Sequence, residues 1–252
     1  MTSLVPNADL AELTGILLGD GSIGKYQSKV NGKIKTQYRV KVTGDASDDF
    51  DYFVKIVAPL MTRVFHVEPK VRFKSTEHVV ELLLFGPKLF NALIEIGFIE
   101  APKKGRAMIP AFITKMGFQK EFLRGFFDTD GSLVFDKQHK EFHYYPRLEM
   151  KIDKSPMRNQ LLCMLRDLGF NPRKCAQEGE VLRVQLNGKA SLKTWATEIG
   201  FKNPKHLSKH LFWCRFGYYC PKTTLQERYN ALGYTKVYKS EVEQPGVLVG
   251  CA

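Results

Sequence analysis

Two aspartates, Asp20 and Asp130, close near-repeats of one pattern. Leu13-Thr14-Gly15-Ile16-Leu17-Leu18-Gly19-Asp20-Gly21-Ser22 returns as Leu123-Arg124-Gly125-Phe126-Phe127-Asp128-Thr129-Asp130-Gly131-Ser132. Each copy is an apolar helical stretch with small residues four apart, ended by a carboxylate and a glycine. Small residues on both stripes let two helix backbones approach closely, and the acids would then emerge side by side. Two adjacent carboxylates repel, and one keeps its proton unless a cation sits between them. Oxygen donors from Asp20 and Asp130, with backbone carbonyls near Gly19 and Thr129, suit Mg²⁺; Mn²⁺ or Ca²⁺ can occupy the same site. A metal held this way activates water and stabilises a leaving oxygen in phosphodiester hydrolysis. The blander reading is that each aspartate only caps a turn before glycine. Two copies in one basic chain weigh against it.

The elements that must position these acids are also written twice. After the first motif comes a loop, then Lys33–Val42, where Lys33, Lys35, Gln37, Arg39 and Lys41 alternate with Ile34, Thr36, Tyr38, Val40 and Val42. Period two predicts a half-buried strand with one basic or amide face. The second half answers with Arg147, Glu149 and Lys151 alternating with Leu148, Met150 and Ile152. Apolar periodicity predicts helices over 49–64 and 156–168. Two further strands follow in each half, one pair carrying Lys70, Arg72 and Lys74, the other Arg183 and Gln185. Glu95-Ile96-Gly97-Phe98 and Glu198-Ile199-Gly200-Phe201 then read as matching helix ends, with glycine past the last turn. Pro102-Lys103 and Pro204-Lys205 come soon after. The expected order is helix, two strands, helix, two strands, helix, performed twice. Residues 99–118 read as the junction, Thr224–Leu232 as a helix, and the tail after Thr235 has no periodicity.

Composition narrows the partner. The chain has 252 residues, with 38 Lys+Arg against 26 Asp+Glu and a net charge of +12. Such an excess favours a polyanion, nucleic acid before an anionic membrane surface. No apolar run approaches a membrane span, and no signal-peptide pattern opens the chain. Five cysteines at irregular spacing suggest free thiols in a reducing, intracellular compartment. His206, His210 and Cys214, at i, i+4 and i+8, match no compact zinc motif. With Leu207, Leu211 and Trp213 between them, they read as one amphipathic helix.

The paired stretches resemble the signature of the LAGLIDADG homing endonucleases in their single-chain, two-motif form. Both copies keep leucine, glycine and the final Asp-Gly, and the flanking repeat covers roughly residues 8–205. The resemblance implies an α+β fold of two pseudo-symmetric α-β-β-α-β-β-α domains, 1–116 and 117–234, with 235–252 as a C-terminal tail. Antiparallel sheets would form a DNA-binding saddle, with the motif helices packed at the interface. It makes Asp20 and Asp130 the metal-binding acids, and Lys103 and Lys205 basic residues that polarise water or offset phosphate charge. Asp128 is expected to be a structural polar group. The family often has glutamine at the end of the strand after the motif; here Gly44 and Ile152 or Asp153 stand nearest, leaving the water-organising partner undefined.

On this reading the partner is double-stranded DNA, bound by a monomer. Lys33, Lys35, Gln37, Arg39, Lys41, Lys70, Arg72 and Lys74 would serve one half-site. Arg147, Glu149, Lys151, Arg173, Arg183 and Gln185 would serve the other. Arginine and glutamine suit bidentate base contacts, lysine suits phosphate, and Glu149 could accept from cytosine. Long loops at 24–32 and 136–145 would extend the footprint. Two alternatives remain: an RNA maturase that assists splicing of a host intron, and a DNA-binding regulator that cuts nothing.

Overall fold

The computed structural model describes residues 4–176 and 181–234; the tail called at 235–252 lies outside them. Helix α1 (Ala8–Gly19) starts where the Asn7 side chain accepts from Leu10 N–H. It is buried on nearly every face, as a helix packed between two halves must be. Strands β1 (Gly21–Val30) and β2 (Lys33–Asp45) follow. Then come α2 (Phe50–Tyr52), a π-helical turn over Phe53–Val57, and α3 (Ala58–Phe65), one continuous helical stretch. Within it Ala58 N–H bonds to Phe53 O, five residues back; Pro59, next in line, has no N–H to give to Lys55. Strands β3 (Lys70–Lys74) and β4 (Val79–Phe85) and helix α4 (Pro87–Glu95) complete the first set.

After the short α5 (Ala111–Lys115), the order repeats: α6 (Gln119–Asp130), β5 (Gly131–Asp136), β6 (Tyr145–Ile152), α7 (Pro156–Asp167), β7 (Arg173–Ala176), β8 (Leu182–Asn187) and α8 (Gly188–Glu198). Helices α9 (Pro204–Phe216) and α10 (Leu225–Leu232) come last, the latter opened by a capping box between Thr224 and Glu227. The strands form two antiparallel four-stranded sheets, ordered β1-β2-β4-β3 and β5-β6-β8-β7. Each sheet turns alternate residues inward: Val40, Val42, Leu82 and Leu84 in the first, Leu148, Met150, Val184 and Leu186 in the second, all buried. One contiguous core runs from these through α1 and α6. Among the described residues, no helix is long and apolar enough to cross a membrane.

Two expectations need correction. The loop expected at 24–32 is strand: β1 pairs with β2 out to Val30↔Lys33, and Asn31 and Gly32, both at positive φ, make the turn. Asn-Gly is a strong hairpin signal, because such a turn requires φ > 0 at both positions. The expected burial of the apolar face of β2 also fails at its start. Ile34 is 72% exposed and residues 33–37 are open on both faces, because this end of the hairpin projects beyond the helical layer.

Candidate active site

The motif helices cross at glycines. A Cβ on Gly125 would overlap the Glu12 carbonyl oxygen, and one on Gly15 would overlap the backbone of Phe122 and Phe126. The crossing is pinned by charge: Arg124 on α6 donates to Glu12 on α1 at 2.7 Å, as does Lys202 Nζ at 2.7 Å. Glu12 is buried, and an unpaired carboxylate there would be costly.

The crossing brings the two acids together. An ideal Cβ on Gly19 would stand 3.6 Å from the Asp130 carboxyl carbon, and Asp20 is the next residue. Burial, then the charges of Asp130 and Asp49, raise the Asp20 pKa to about 7; burial also raises that of Asp130. Asp20 is half-buried and Asp130 is open at its outer edge, so the pair sits in a dense rim that solvent reaches. Hard oxygen donors crowded enough to resist ionisation fit a divalent cation, with Asp20 and Asp130 as the residues that would hold it.

The two lysines are not equivalent. Lys103 Nζ donates to Leu18 O at 2.6 Å, to Leu17 O at 3.3 Å and to Gly19 O, covering the carbonyl end of α1. The Gly19 carbonyl, expected as a metal ligand, is therefore engaged by an ammonium. At Thr129, whose backbone carbonyl was the other expected contributor, the hydroxyl turns back to Gly125 O and Phe126 O at 3.1 and 3.0 Å. Burial lowers the Lys103 pKa against the opposing pull of Asp130, Asp20 and Asp153.

Lys205 is held by Asp49, at 2.9 and 3.2 Å. Asp49 in turn accepts from the buried Asn203 side chain at 2.8 Å. Asp128, the expected structural acid, receives Lys202 N–H and Asn203 N–H at 2.7 and 3.0 Å, and burial raises its pKa to about 7. Asp49 and Asn203 carry no motif and come into view only through this packing. Of the positions nearest the family's glutamine, Gly44 has no room for a side chain, because a Cβ there would strike the Phe53 ring. Asp153 accepts from Gly105 N–H at 2.6 Å.

The basic faces lie outward as the alternation predicts, each with an acid at its centre: Glu149, expected on the face, and Glu81, which was not. Strand register makes positions in the two sheets correspond: Gly21↔Val42 and Gly131↔Met150 equate Val42 with Met150. Val42↔Leu82 and Met150↔Val184 then equate Leu82 with Val184. Arg39 corresponds to Arg147, and Lys70 to Arg173. Lys41 and Glu81 correspond to Glu149 and Arg183, the same diagonal cross-strand neighbours with their charges exchanged.

Glu81, 1% exposed, bonds Arg72 Nε at 2.7 Å and lies 3.4 Å from Lys41 and 3.5 Å from Lys74. Although burial opposes it, the Arg72 hydrogen bond and the Lys41 and Arg72 charges bring its pKa below the usual carboxylate value. Glu149, 9% exposed, accepts from Gln185 Nε2 at 2.8 Å and lies 2.9 Å from Arg147 and 3.7 Å from Arg183. Glu149 is thus occupied by its own sheet. Further out, Arg39 stacks over Tyr26, 4.2 Å from the ring centre. Lys33, Lys35, Gln37, Lys70, Arg72, Lys151 and Arg173 are exposed, while Lys41, Lys74, Arg147 and Arg183 are half-buried and Gln185 is buried.

Two antiparallel sheets joined by crossed, glycine-lined helices that end in paired aspartates define the two-domain LAGLIDADG fold. Residues 117–200 match the family model described as LAGLIDADG-like domain, so this chain is a LAGLIDADG-fold protein whose second half carries that domain. Solved structures agree. The crystal structure of I-DmoI in complex with DNA and Ca aligns with TM-score 0.51 and 20% identity over 80% of this chain and 95% of that one. I-DmoI in complex with DNA and Mn gives 0.50 and 22% over 77% and 96%. The I-LtrWI LAGLIDADG homing endonuclease bound to target DNA gives 0.59 and 8% over 83% and 89%. No curated protein sequence matches the chain.

Proposed function

We propose that this chain is a site-specific, divalent-metal-dependent endonuclease of double-stranded DNA that works as a monomer. The observation that carries the reading is the meeting of Asp20 and Asp130 at the ends of crossed helices between two basic sheet faces. A binding protein has no need of two crowded carboxylates there. Likeness in fold to homing endonucleases solved with DNA, and with Mn or Ca, supports the same reading.

Lysine and arginine on the sheets neutralise phosphates and hold the duplex over the seam. Asp20 and Asp130 are the residues that would hold Mg²⁺, and the ion would supply a more acidic water and charge stabilisation for the leaving oxygen. Lys103 fixes the end of α1, and so the Asp20 carboxylate, while its charge lowers the cost of a phosphate beside two acids. Lys205, set by Asp49 and Asn203, presents a second cation whose charge also reaches Asp20. Each strand is cut near the seam, leaving short 3′ overhangs.

The test uses wild type, Asp20→Asn and Asp130→Asn on DNA carrying a site selected from a random library. With Mg²⁺, wild type should cut and both variants should bind with little loss yet leave the DNA intact. Cutting that survives both substitutions would refute the assignment.

A further inference from the structure

The acids at the centres of the two basic faces have a use that attraction to DNA does not explain. A carboxylate among residues that meet phosphates weakens non-specific attraction, so Glu81 and Glu149 act against simple charge binding. What they supply is orientation. Glu81 holds Arg72 through Nε at 2.7 Å and draws Lys41 and Lys74 to within 3.4 and 3.5 Å. The Arg72 side chain stays 50% exposed and Lys41 26% exposed, so each is tethered from beneath with part of its head at the surface. Glu149 does the same for Arg147 and Arg183, whose side chains stay 24% and 30% exposed; Asp136 also holds Arg147, and the buried Gln185 amide anchors Glu149 from below. Loose lysine and arginine heads sample many rotamers, whereas a fixed guanidinium can select one base edge.

The hubs stand on different strands, Glu81 on β4 and Glu149 on β6. In the first sheet the tethered donors therefore project from β2 and β3; in the second they project from β6 and β8. At the position equivalent to Lys41 the second sheet carries the acid, and at the position equivalent to Glu81 it carries Arg183.

We propose that Glu81 and Glu149 are positioning residues for base recognition, each fixing the donors that read its own half-site, and that their exchanged placement gives the two half-sites different donor patterns at symmetry-related base pairs. The inference rests on the DNA-binding part of the function proposed above.

The experiment selects bound sequences from duplexes randomised over about two to three helical turns, with binding read in the absence of Mg²⁺. Wild type, Glu81→Gln, Glu149→Gln and the double variant Lys41→Glu/Glu81→Arg are compared, along with affinity for one non-selected duplex. Glu81→Gln should lose base preference in one half of the selected site only, lowering the specific-to-non-specific affinity ratio about ten-fold. Its non-specific affinity should rise, with the slope of log K against log salt steeper by about one. Glu149→Gln should do the same in the other half. The double variant, which copies the polarity of the second sheet, should regain discrimination with a changed base preference in the first half.

Unchanged preference in both glutamine variants overturns the proposal. So does joint loss of specific and non-specific binding in Glu81→Gln and the double variant, which would make the acid a requirement of the fold alone. If wild type itself enriches no sequence, the DNA-endonuclease reading fails first.

Discussion

Asp20 is the residue at which function works against stability. Its carboxyl pKa in the folded protein, about 7, lies above the ordinary 3.8 because it is buried beside Asp130 and Asp49. A raised acid pKa gives stability that is fully present below about pH 4 and is lost as pH rises through about 7. Above that pH, and without divalent cation, the ionised pair strains the seam. Asp20→Asn should therefore melt a few degrees higher than wild type at pH 8 in chelator and at nearly the same temperature at pH 4. Mg²⁺ at pH 8 should raise the melting temperature of wild type and leave the variant unmoved. Thermal scans of both proteins in the three conditions check this; equal melting temperatures at pH 8 in chelator would remove the charge pair from the account. Lys103 and Lys205 also part company at this scale. Lys205→Met frees Asp49 and strips one cation from the rim, whereas Lys103→Met uncovers the carbonyl end of α1. Both should slow cutting and lower the melting temperature, Lys205→Met because it leaves the buried Asp49 carboxylate without its cation. An unchanged melting temperature in Lys205→Met would show that Asp49 needs no cation there.

Among the elements, the crossing of α1 and α6 carries the most. With no room for a Cβ at Gly125 or Gly15, Gly125→Ala must push the helices apart, costing about 2 kcal/mol or more. It would also move Asp130 away from Asp20. Denaturant melts and cleavage rates should both fall; a variant that keeps full stability and rate would show that the crossing tolerates displacement. This crossing was legible in the sequence because small residues four apart, twice, leave a helix little else to do. The succession of helices and strands was legible from alternation read twice, whereas the order of strands within each sheet was not. Local signals were missed where they competed: the alternating basic run drew attention to β2, and Asn31-Gly32, a hairpin signal in its own right, was read as loop. The exposure of Ile34 could not be read, because alternation reports which face a side chain takes and not how far the covering layer extends. Glu81 with Lys41, and Asp49 with Lys205, are partners 40 and 156 residues apart. Only the strand register and the approach of the two halves bring them together, and no spacing rule encodes that.

The whole molecule couples this seam to the packing of α9, through two histidines on one face. His206 is buried against Phe127 and Phe201, with ring centres 5.0 and 6.3 Å away, and neither of its nitrogens has a hydrogen-bond partner among the described residues. Burial holds its pKa well below the ordinary 6.5 and brings that of His210, 5.7 Å from Phe201, down to about 4. Both are neutral packing groups. A base with a depressed folded pKa gives stability that is present above its unfolded value and is lost as pH falls. The window here runs from about 6.5 down through about 4, where the unfolded chain takes up protons that the fold refuses. Phe127 lies in the second motif and α9 begins one residue before Lys205, so acid should loosen the second half at its catalytic edge. His206→Phe is close in volume and cannot be protonated. Its stability relative to wild type should grow steadily as pH falls from 6.5 to 4 and change little between pH 7 and 8. Urea melts across that range give the difference directly. Parallel pH profiles for the two proteins would mean that acid opens the molecule elsewhere, and that the buried ring of His206 does not govern its acid sensitivity.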